Sequence, residues 1–122
     1  MSLLIFDDEA DAREFMRVLI EQCDARVVTA SGMDEALAAI GMDRFGLILS
    51  DIGMPHHDGY ELIRRVRALA ASEGGRTPAV AVTAFARAED RTRALRAGYQ
   101  SHLAKPVEPT ELTAMIASLT QR

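Results

Sequence analysis

The 122-residue sequence contains one cysteine, one lysine and no tryptophan, and it has no long hydrophobic run. The lone Cys23 excludes an internal disulfide and argues against a cysteine-based metal site, so we expect its side chain in the core. No apolar run approaches the roughly 18 residues that a membrane-spanning helix needs, and the N-terminus lacks the features of a signal peptide. These absences predict a cytoplasmic protein without membrane insertion.

An excess of positive charge is also absent, because the net charge is −4. Direct binding of nucleic acid is therefore not expected, since such domains are strongly basic. Residues 1–60 include 12 acidic and 4 basic residues, whereas residues 61–98 include 4 acidic and 8 basic ones. The acidic excess of residues 1–60 suits a bound cation. The arginine-rich middle is either a surface for an acidic partner or an ordinary solvated helix face.

Length and composition are those of one globular domain, with 48% hydrophobic and 26% charged residues. We therefore expect a single domain over residues 1–122. Five short apolar runs predict β-strands at residues 3–6, 26–29, 47–50, 79–83 and 101–104. Helical patterns lie between these runs. This alternation predicts an α/β fold, in which helices cover both faces of a parallel sheet.

Helical spacing predicts which side chains face the sheet. In the first helix these are Ala12, Phe15, Met16, Leu19 and Ile20, and in the last they are Leu112, Met115, Ile116 and Leu119. In the arginine-rich fourth helix, Leu95 and a few alanines are expected to face the sheet. Ser31 and Asp34 resemble a capping box for the second helix, and Pro109 suits the first turn of the fifth.

Polar residues follow the predicted strands where their carboxyl ends meet. Asp7 and Asp8 follow the first strand, Asp51 follows the third, the fourth ends on Thr83, and Lys105 follows the fifth. Open α/β sheets bind ligands at this edge. Each residue alone has an ordinary explanation as a cap, turn or surface residue. Lys105, however, is the only lysine beside 13 arginines, which favours a site that needs a compact ammonium.

This set of residues suits the transfer of a phosphoryl group to a carboxylate. Clustered carboxylates repel one another unless a cation joins them, and an all-oxygen site suits Mg²⁺. The predicted metal ligands are Asp7, Asp8, Asp51 and the backbone carbonyl of Gly53. Asp51 is the expected nucleophile, because aspartyl phosphate is an established covalent intermediate. The hydroxyl of Thr83 and the ammonium of Lys105 are expected to contact phosphoryl oxygens.

Four stretches of the chain, in this order, resemble receiver domains of two-component response regulators: LLIFDDE, DIGMPHHDG, AVTA and HLAKPVEP. The resemblance covers essentially the whole chain. It implies a doubly wound, flavodoxin-like sheet of five parallel strands in the order 2-1-3-4-5. It also implies an Mg²⁺ requirement and phosphorylation of Asp51 by a phosphohistidine of a histidine kinase or histidine phosphotransfer protein. We expect a monomer or a weak homodimer.

The resemblance further implies a conformational switch. Thr83 would turn toward the phosphoryl group and rearrange the face formed by the fourth helix and fifth strand. The family's switch residue, three places before the lysine, is most often Tyr or Phe, whereas this chain has His102. That histidine, in its HLAKPV context, resembles receiver domains of hybrid histidine kinases. It is either a moving switch, whose output could depend on pH, or a histidine packed at the sheet edge.

Two further positions bear on the lifetime of the phosphoryl group. Residues two places after the aspartate and two after the threonine influence attack by water in the family, and here they are Gly53 and Phe85. Neither offers a polar side chain to orient water, so we predict that neither side chain assists self-dephosphorylation. The adjacent His56 and His57 lack further metal ligands and suit an exposed loop approached by the partner's phosphohistidine.

Two other functions stay open at this stage. An aspartate-nucleophile phosphatase would need a general acid two residues after the nucleophile, where this chain has Gly53. A receiver-like interaction module that has lost phosphorylation is opposed by the complete set of acids, hydroxyl and lysine. The favoured function is a signalling module that catalyses its own phosphorylation. It is expected to be either a single-domain regulator or a part of a longer protein.

Overall fold

The computed structural model describes residues 1–53, 58–84 and 87–120. Within these ranges, five strands alternate with five helices, as the sequence predicts. The strands are β1 (Ser2–Phe6), β2 (Arg26–Ala30), β3 (Leu47–Asp51), β4 (Ala79–Thr83) and β5 (Ser101–Ala104). The helices are α1 (Ala10–Glu21), α2 (Met33–Met42), α3 (Asp58–Arg67), α4 (Ala88–Ala97) and α5 (Pro109–Thr120), and a short 3₁₀ helix (Ala71–Glu73) precedes β4.

All five strands are parallel and form one sheet in the order β2-β1-β3-β4-β5, which confirms the predicted fold class. Because β1 pairs with both β2 and β3, the order of the strands reverses between β1 and β3. Ligands bind at such a switch point in open α/β sheets. Phe6 of β1 is in register with Ser50 of β3, so the next residues, Asp7 and Asp51, lie near each other at this point.

Apolar side chains fill two cores, one on each face of the sheet. Alternate residues of β1 point to opposite faces, so that Leu3 and Ile5 join one core while Leu4 and Phe6 join the other. The first core packs against α1 and α5, and the second packs against α2, α3 and α4. Strands β1, β3 and β4 are buried on both faces, which explains why their sequences are nearly continuous in apolar residues.

Several predicted core positions are exposed instead. The side chain of Phe15 on α1 is 48% exposed, and that of Leu95 on α4 is 53% exposed, so neither lies against the sheet as predicted. Met16 and Ile20 are the buried residues of α1, Leu19 is partly buried against the same core, and Ala94 is the buried residue of α4. The prediction for Cys23 is also wrong. This residue follows the end of α1 and is exposed.

The helix ends follow the sequence in part. Pro109 is the first residue of α5, as predicted. The capping box predicted for α2 is wrong, because Gly32 is the N-cap and the hydroxyl of Ser31 donates to Glu35 instead. The longest helices have 12 residues, and none in the described ranges is long and apolar enough to cross a membrane.

Candidate functional site

Strand β1 leads into the site through three consecutive acidic residues. Asp7 directly follows Phe6 and is fully buried, whereas Asp8 and Glu9 are exposed. The backbone N–H of Asp7 donates to the carbonyl of Ala30 on β2 at 3.1 Å. Its carboxylate oxygen Oδ1 accepts a hydrogen bond from the N–H of Glu9 at 2.9 Å. This turn positions Glu9 as the N-cap residue of α1.

Strand β3 ends with Asp51, whose surface is 5% exposed. The Oδ1 atom of Asp51 accepts a hydrogen bond from the N–H of Gly53 at 2.7 Å, so the backbone after the strand orients the carboxylate. A Cβ atom at Gly53 would lie 3.3 Å from this Oδ1 and 3.4 Å from Oγ1 of Thr83. The space beside the carboxylate therefore stays open because residue 53 is glycine.

A second glycine lets helix α3 approach the end of β3. Gly59 lies in the first turn of α3 and is buried. A Cβ atom there would overlap the backbone carbonyl oxygen of Asp51. The carbonyl of Gly59 also accepts a hydrogen bond of 2.6 Å from the buried hydroxyl of Tyr99, which precedes β5. Gly59, the last residue of the DIGMPHHDG stretch, therefore has a packing role beneath the site.

Strands β4 and β5 supply a hydroxyl and an ammonium group. Thr83 is the last residue of β4 and is 2% exposed, and its carbonyl accepts a hydrogen bond of 2.9 Å from the N–H of Lys105. The Nζ atom of Lys105 lies 2.9 Å from Oδ2 of Asp7, 3.1 Å from Oδ2 of Asp51 and 3.1 Å from Oε1 of Glu9. Four strands therefore bring the predicted residues together.

The three contacts of Lys105 differ in kind. Asp51 and Glu9 accept hydrogen bonds from the ammonium group. Oδ2 of Asp7 has no hydrogen-bond partner within the described part of the chain, so we describe its close approach to Lys105 as an ion pair. A buried carboxylate oxygen without a hydrogen bond is unusual and is typical of a site that takes a further ligand.

Burial and charge shift the pKa values of this cluster. Burial raises the pKa of Asp7 above that of an ordinary aspartate, and the hydrogen bond from Glu9 and the nearby ammonium of Lys105 only partly oppose the rise. Burial lowers the pKa of Lys105, but its contacts with Asp7, Glu9 and Asp51 outweigh burial and the pKa is raised. The ammonium is therefore charged at neutral pH, and the carboxylates around it outnumber it.

The acidic residues lie close enough together to share a metal ion. One oxygen atom from each of Asp7, Asp8, Glu9 and Asp51 lies within 4.8 Å of the others. Carboxylate oxygens are ligands that Mg²⁺ prefers, and the buried Oδ2 of Asp7 still lacks a hydrogen-bond partner among the described residues. The donor set therefore fits Mg²⁺. That the carbonyl of Gly53 completes this set stays a prediction.

Glu9 is the member of this cluster that the sequence analysis missed. It directly follows the acidic pair Asp7 and Asp8 in the sequence. A third acid at the start of a helix is commonly a surface residue, so it was not assigned to the site. One signal was available. Glutamate is not among the residues that N-cap positions favour, because Ser, Thr, Asp and Asn reach the backbone N–H groups better. The side chain of Glu9 makes no capping hydrogen bond and contacts Lys105 instead.

The remaining predicted residues lie apart from the cluster or outside the described ranges. His102 is on β5, three residues before Lys105, and is partly buried, with its Nε2 atom buried and without a hydrogen-bond partner among the described residues. It lines a surface groove with Arg91 and Leu95 of α4. Phe85, His56 and His57 lie outside the described residues.

Comparison with known proteins identifies the family. A sequence model described as the response regulator receiver domain matches residues 3–117. The chain is 43% identical over 116 residues to an uncharacterized 14.6 kDa protein in the sodA1 3′ region of Leptolyngbya boryana, covering 95% of this chain and 87% of that protein. It is 34% identical to sensor histidine kinase RcsC of Salmonella typhi, but it spans only 12% of that kinase's length while aligning over its own whole length.

A related solved structure carries a magnesium ion. The receiver domain of sensor histidine kinase PA1611 from Pseudomonas aeruginosa PAO1 has a magnesium ion coordinated in its active site cleft. It superposes with a TM-score of 0.87 at 28% identity and covers 99% of this chain and 98% of that one. The acidic cluster described above is typical of the magnesium site of such domains. The chain therefore belongs to the response regulator receiver domain family.

Proposed function

We propose that this receiver domain is a phosphoacceptor signalling switch, phosphorylated on Asp51 by a phosphohistidine of a histidine kinase or histidine phosphotransfer protein. The observation that carries the proposal is the contact of Asp51 with Lys105 at 3.1 Å, within a cluster of acidic residues. The match to a segment of a sensor histidine kinase supports a partner of this class. We place the switch in the cytoplasm, as a monomer or weak homodimer.

The transfer step forms one bond and breaks one. An oxygen of Asp51 attacks phosphorus, the P–N bond to imidazole breaks, and the imidazole leaves with the electron pair of that bond and takes up a proton from water. The ammonium of Lys105 and the hydroxyl of Thr83 contact phosphoryl oxygens and offset their charge in the transition state. Rate enhancement comes mainly from positioning these groups.

Asp7, Asp8 and Asp51, with the carbonyl of Gly53, are the residues that would hold Mg²⁺. When bound, the ion supplies positive charge that neutralises phosphoryl oxygens. Two observations support this assignment: the acidic oxygens lie close together, and Oδ2 of Asp7 is buried and accepts no hydrogen bond among the described residues. The side chain of Lys105 lies beside the same carboxylates and complements the ion rather than replacing it.

We propose that output passes through the face formed by α4, β5 and α5. Thr83 turns toward the phosphoryl group, and His102 and α4 change position in response. Helix α4 suits such a change because Ala94 is its one buried residue, whereas Leu95 stays exposed. Elements with few buried apolar contacts shift at a low free-energy cost.

The test is the intact mass of the protein before and after incubation with acetyl phosphate and Mg²⁺. The expected result is the addition of one phosphoryl group to the native chain and none to the Asp51→Asn variant. Omission of Mg²⁺, or chelation with EDTA, should abolish the addition. A native chain that stays unmodified, although folded and bound to Mg²⁺, would overturn the proposal in favour of an interaction module. Steady release of phosphate from a generic phosphate ester would favour a phosphatase.

A further inference from the structure

The ammonium of Lys105 is surrounded before any phosphoryl group arrives. Three carboxylate oxygens, from Asp7, Asp51 and Glu9, lie 2.9 to 3.1 Å from Nζ, and 16% of the lysine side chain is exposed. Two of these oxygens, from Asp51 and Glu9, accept hydrogen bonds from the ammonium, and the third, from Asp7, forms an ion pair with it, so the three together crowd the end of the lysine side chain. A phosphoryl oxygen can contact Lys105 only if one of these neighbours moves away.

Glu9 is the neighbour that is free to move. The side chains of Asp7 and Asp51 are 0% and 6% exposed, whereas that of Glu9 is 67% exposed. Exposed ion pairs are weak, because water competes for both partners. The backbone of Glu9 is fixed as the N-cap of α1, and its carbonyl accepts a hydrogen bond from the N–H of Arg13. Only the side chain therefore has to swing out.

We propose that Glu9 restrains phosphorylation of Asp51 and selects among phosphodonors. Its carboxylate accepts a hydrogen bond from Lys105 and adds a negative charge at the exposed side of the site. It therefore slows phosphorylation by donors that carry two negative charges more than phosphorylation by donors that carry one. Glu9 is thus a specificity-determining residue that acts through Lys105. This inference rests on the proposed phosphorylation of Asp51.

Two small donors of different charge test the proposal. Acetyl phosphate is a dianion near pH 8, and its P–O bond breaks as acetate leaves with the electron pair. Phosphoramidate carries one net negative charge, and its P–N bond breaks as ammonia leaves with the electron pair. Glu9→Gln should raise the second-order rate constant for acetyl phosphate ~3- to 10-fold, as expected for one charge removed several ångströms away. It should raise the constant for phosphoramidate by a smaller factor.

Two further variants separate charge from structure. Glu9→Ala should react as fast as Glu9→Gln, since both lack the negative charge. Glu21→Gln is the matched control, because it removes the same charge at the last residue of α1, and its rates should equal those of the native chain. Rates are compared at Mg²⁺ concentrations that saturate each variant. A slower Glu9→Ala variant that Gln restores would overturn the proposal, because Glu9 would then hold Lys105 in a productive position.

The single lysine also permits a test that needs no phosphorylation. Protein labelled only in lysine gives one side-chain ammonium signal in NMR spectra, that of Lys105. Glu9→Gln should shift this signal and Glu21→Gln should not. If the native chain accepts no phosphoryl group from either donor, the proposed function fails. If it does accept one, but Glu9→Gln changes neither the donor preference nor the lysine signal, the role of Glu9 alone is wrong.

Discussion

The ammonium of Lys105 lies 3.1 Å from a carboxylate oxygen of Asp51, although 54 positions separate the two residues along the chain. Strand β4 lies between β3 and β5 in the sheet, so the lysine side chain has to reach across the end of β4. A long, flexible stem with a compact charged end allows this reach, and a broad guanidinium fork fits such a crowded position less well. This explains why the one lysine of an arginine-rich chain stands here.

Replacement of Lys105 by methionine should destabilise the protein. The apolar stem is retained, but the buried carboxylates of Asp7 and Asp51 lose their nearest cation. We expect the free energy of unfolding to fall by about 1–3 kcal/mol in the absence of Mg²⁺, which is typical when buried polar groups lose a partner. Added Mg²⁺ should narrow the difference in unfolding free energy between the variant and the native chain, because the ion binds the folded variant and neutralises the same carboxylates.

Urea unfolding of both proteins, with EDTA or with excess Mg²⁺, measures this effect. The control is Arg26→Met, which removes an exposed cation whose side chain is 67% exposed and lies 3.5 Å from Asp43. Exposed pairs of this kind contribute little, so its stability should stay within about 1 kcal/mol of the native value. If the free energy of unfolding falls equally in the two variants, Lys105 does not stabilise the buried carboxylates.

Gly59→Ala should be strongly destabilising. Its new methyl group would overlap the carbonyl oxygen of Asp51, so α3 has to move away from the end of β3. Overpacking of this kind costs about 1–3 kcal/mol. Gly41 provides the control, because it also lies within a helix, α2, and has no atom within 4 Å of an added Cβ. Gly41→Ala should stabilise the chain by up to about 1 kcal/mol.

Thermal unfolding of the two alanine variants compares these effects directly. Gly59→Ala should also slow phosphorylation by acetyl phosphate, because displacement of the Asp51 backbone changes the direction of its carboxylate. Gly41→Ala, whose side chain lies away from the site, should react at the native rate. A Gly59→Ala variant with native stability would contradict the close contact between α3 and β3.

The sequence predicted the sheet, and it predicted that Asp7, Asp51 and Lys105 meet at one edge of it, because both depend on strand positions. Strands β4 and β5 agree with the prediction to the residue, and the other three differ by one residue at one end. Parallel strands align their carboxyl ends, so polar residues that follow the strands have to meet there. For this reason, Asp7, Asp51 and Lys105 could be assigned to one site without knowledge of side-chain geometry.

Features that depend on side-chain paths were less predictable. Phe15 has the helical spacing of a core residue, yet the stripe of α1 that faces the sheet is narrow and leaves it exposed. The hydrogen bond from Tyr99 to the carbonyl of Gly59 joins residues 40 positions apart, and no pattern in the sequence connects them. The contact of Glu9 with Lys105 likewise depends on two long side chains that meet at the end of β1.

Gly53→Asn should shorten the lifetime of the phosphoryl group on Asp51. The native chain has no polar side chain at this position, whereas an asparagine amide can orient a water molecule toward phosphorus. The added Cβ would lie 3.3 Å from Oδ1 of Asp51 and 3.4 Å from Oγ1 of Thr83, which is tight. Gly53→Ala introduces the same crowding without the amide and is therefore the control.

Loss of the added mass after removal of acetyl phosphate gives the rate of self-dephosphorylation. We expect Gly53→Asn to lose the phosphoryl group faster than Gly53→Ala. The rate of loss should rise further when Phe85→Glu is combined with Gly53→Asn. If Gly53→Asn and Gly53→Ala lose the phosphoryl group equally fast, crowding and not a polar side chain determines its lifetime.

The stability of the protein should depend on the protonation of His102. Burial lowers the pKa of this imidazole below its ordinary value of about 6.5, and the positive charge of Arg91 lowers it further, against the weaker opposing effect of Asp90. Glu111 of α5 lines the same groove. His102 is therefore protonated to a smaller extent near neutral pH than an ordinary histidine.

The direction of the effect follows from linkage. The unfolded chain binds a proton at this histidine near pH 6.5, but the folded chain binds it only at lower pH. Stability should therefore fall as the pH decreases from about 6.5 to the folded pKa, and this contribution should level off below it. His102→Asn should remove this contribution. Between pH 7.5 and pH 5, the difference in unfolding free energy between the two proteins should therefore shift in favour of the variant. Urea unfolding of both proteins at the two pH values measures this, and an NMR titration that places the pKa of His102 above 6.5 would contradict the expected burial of the imidazole.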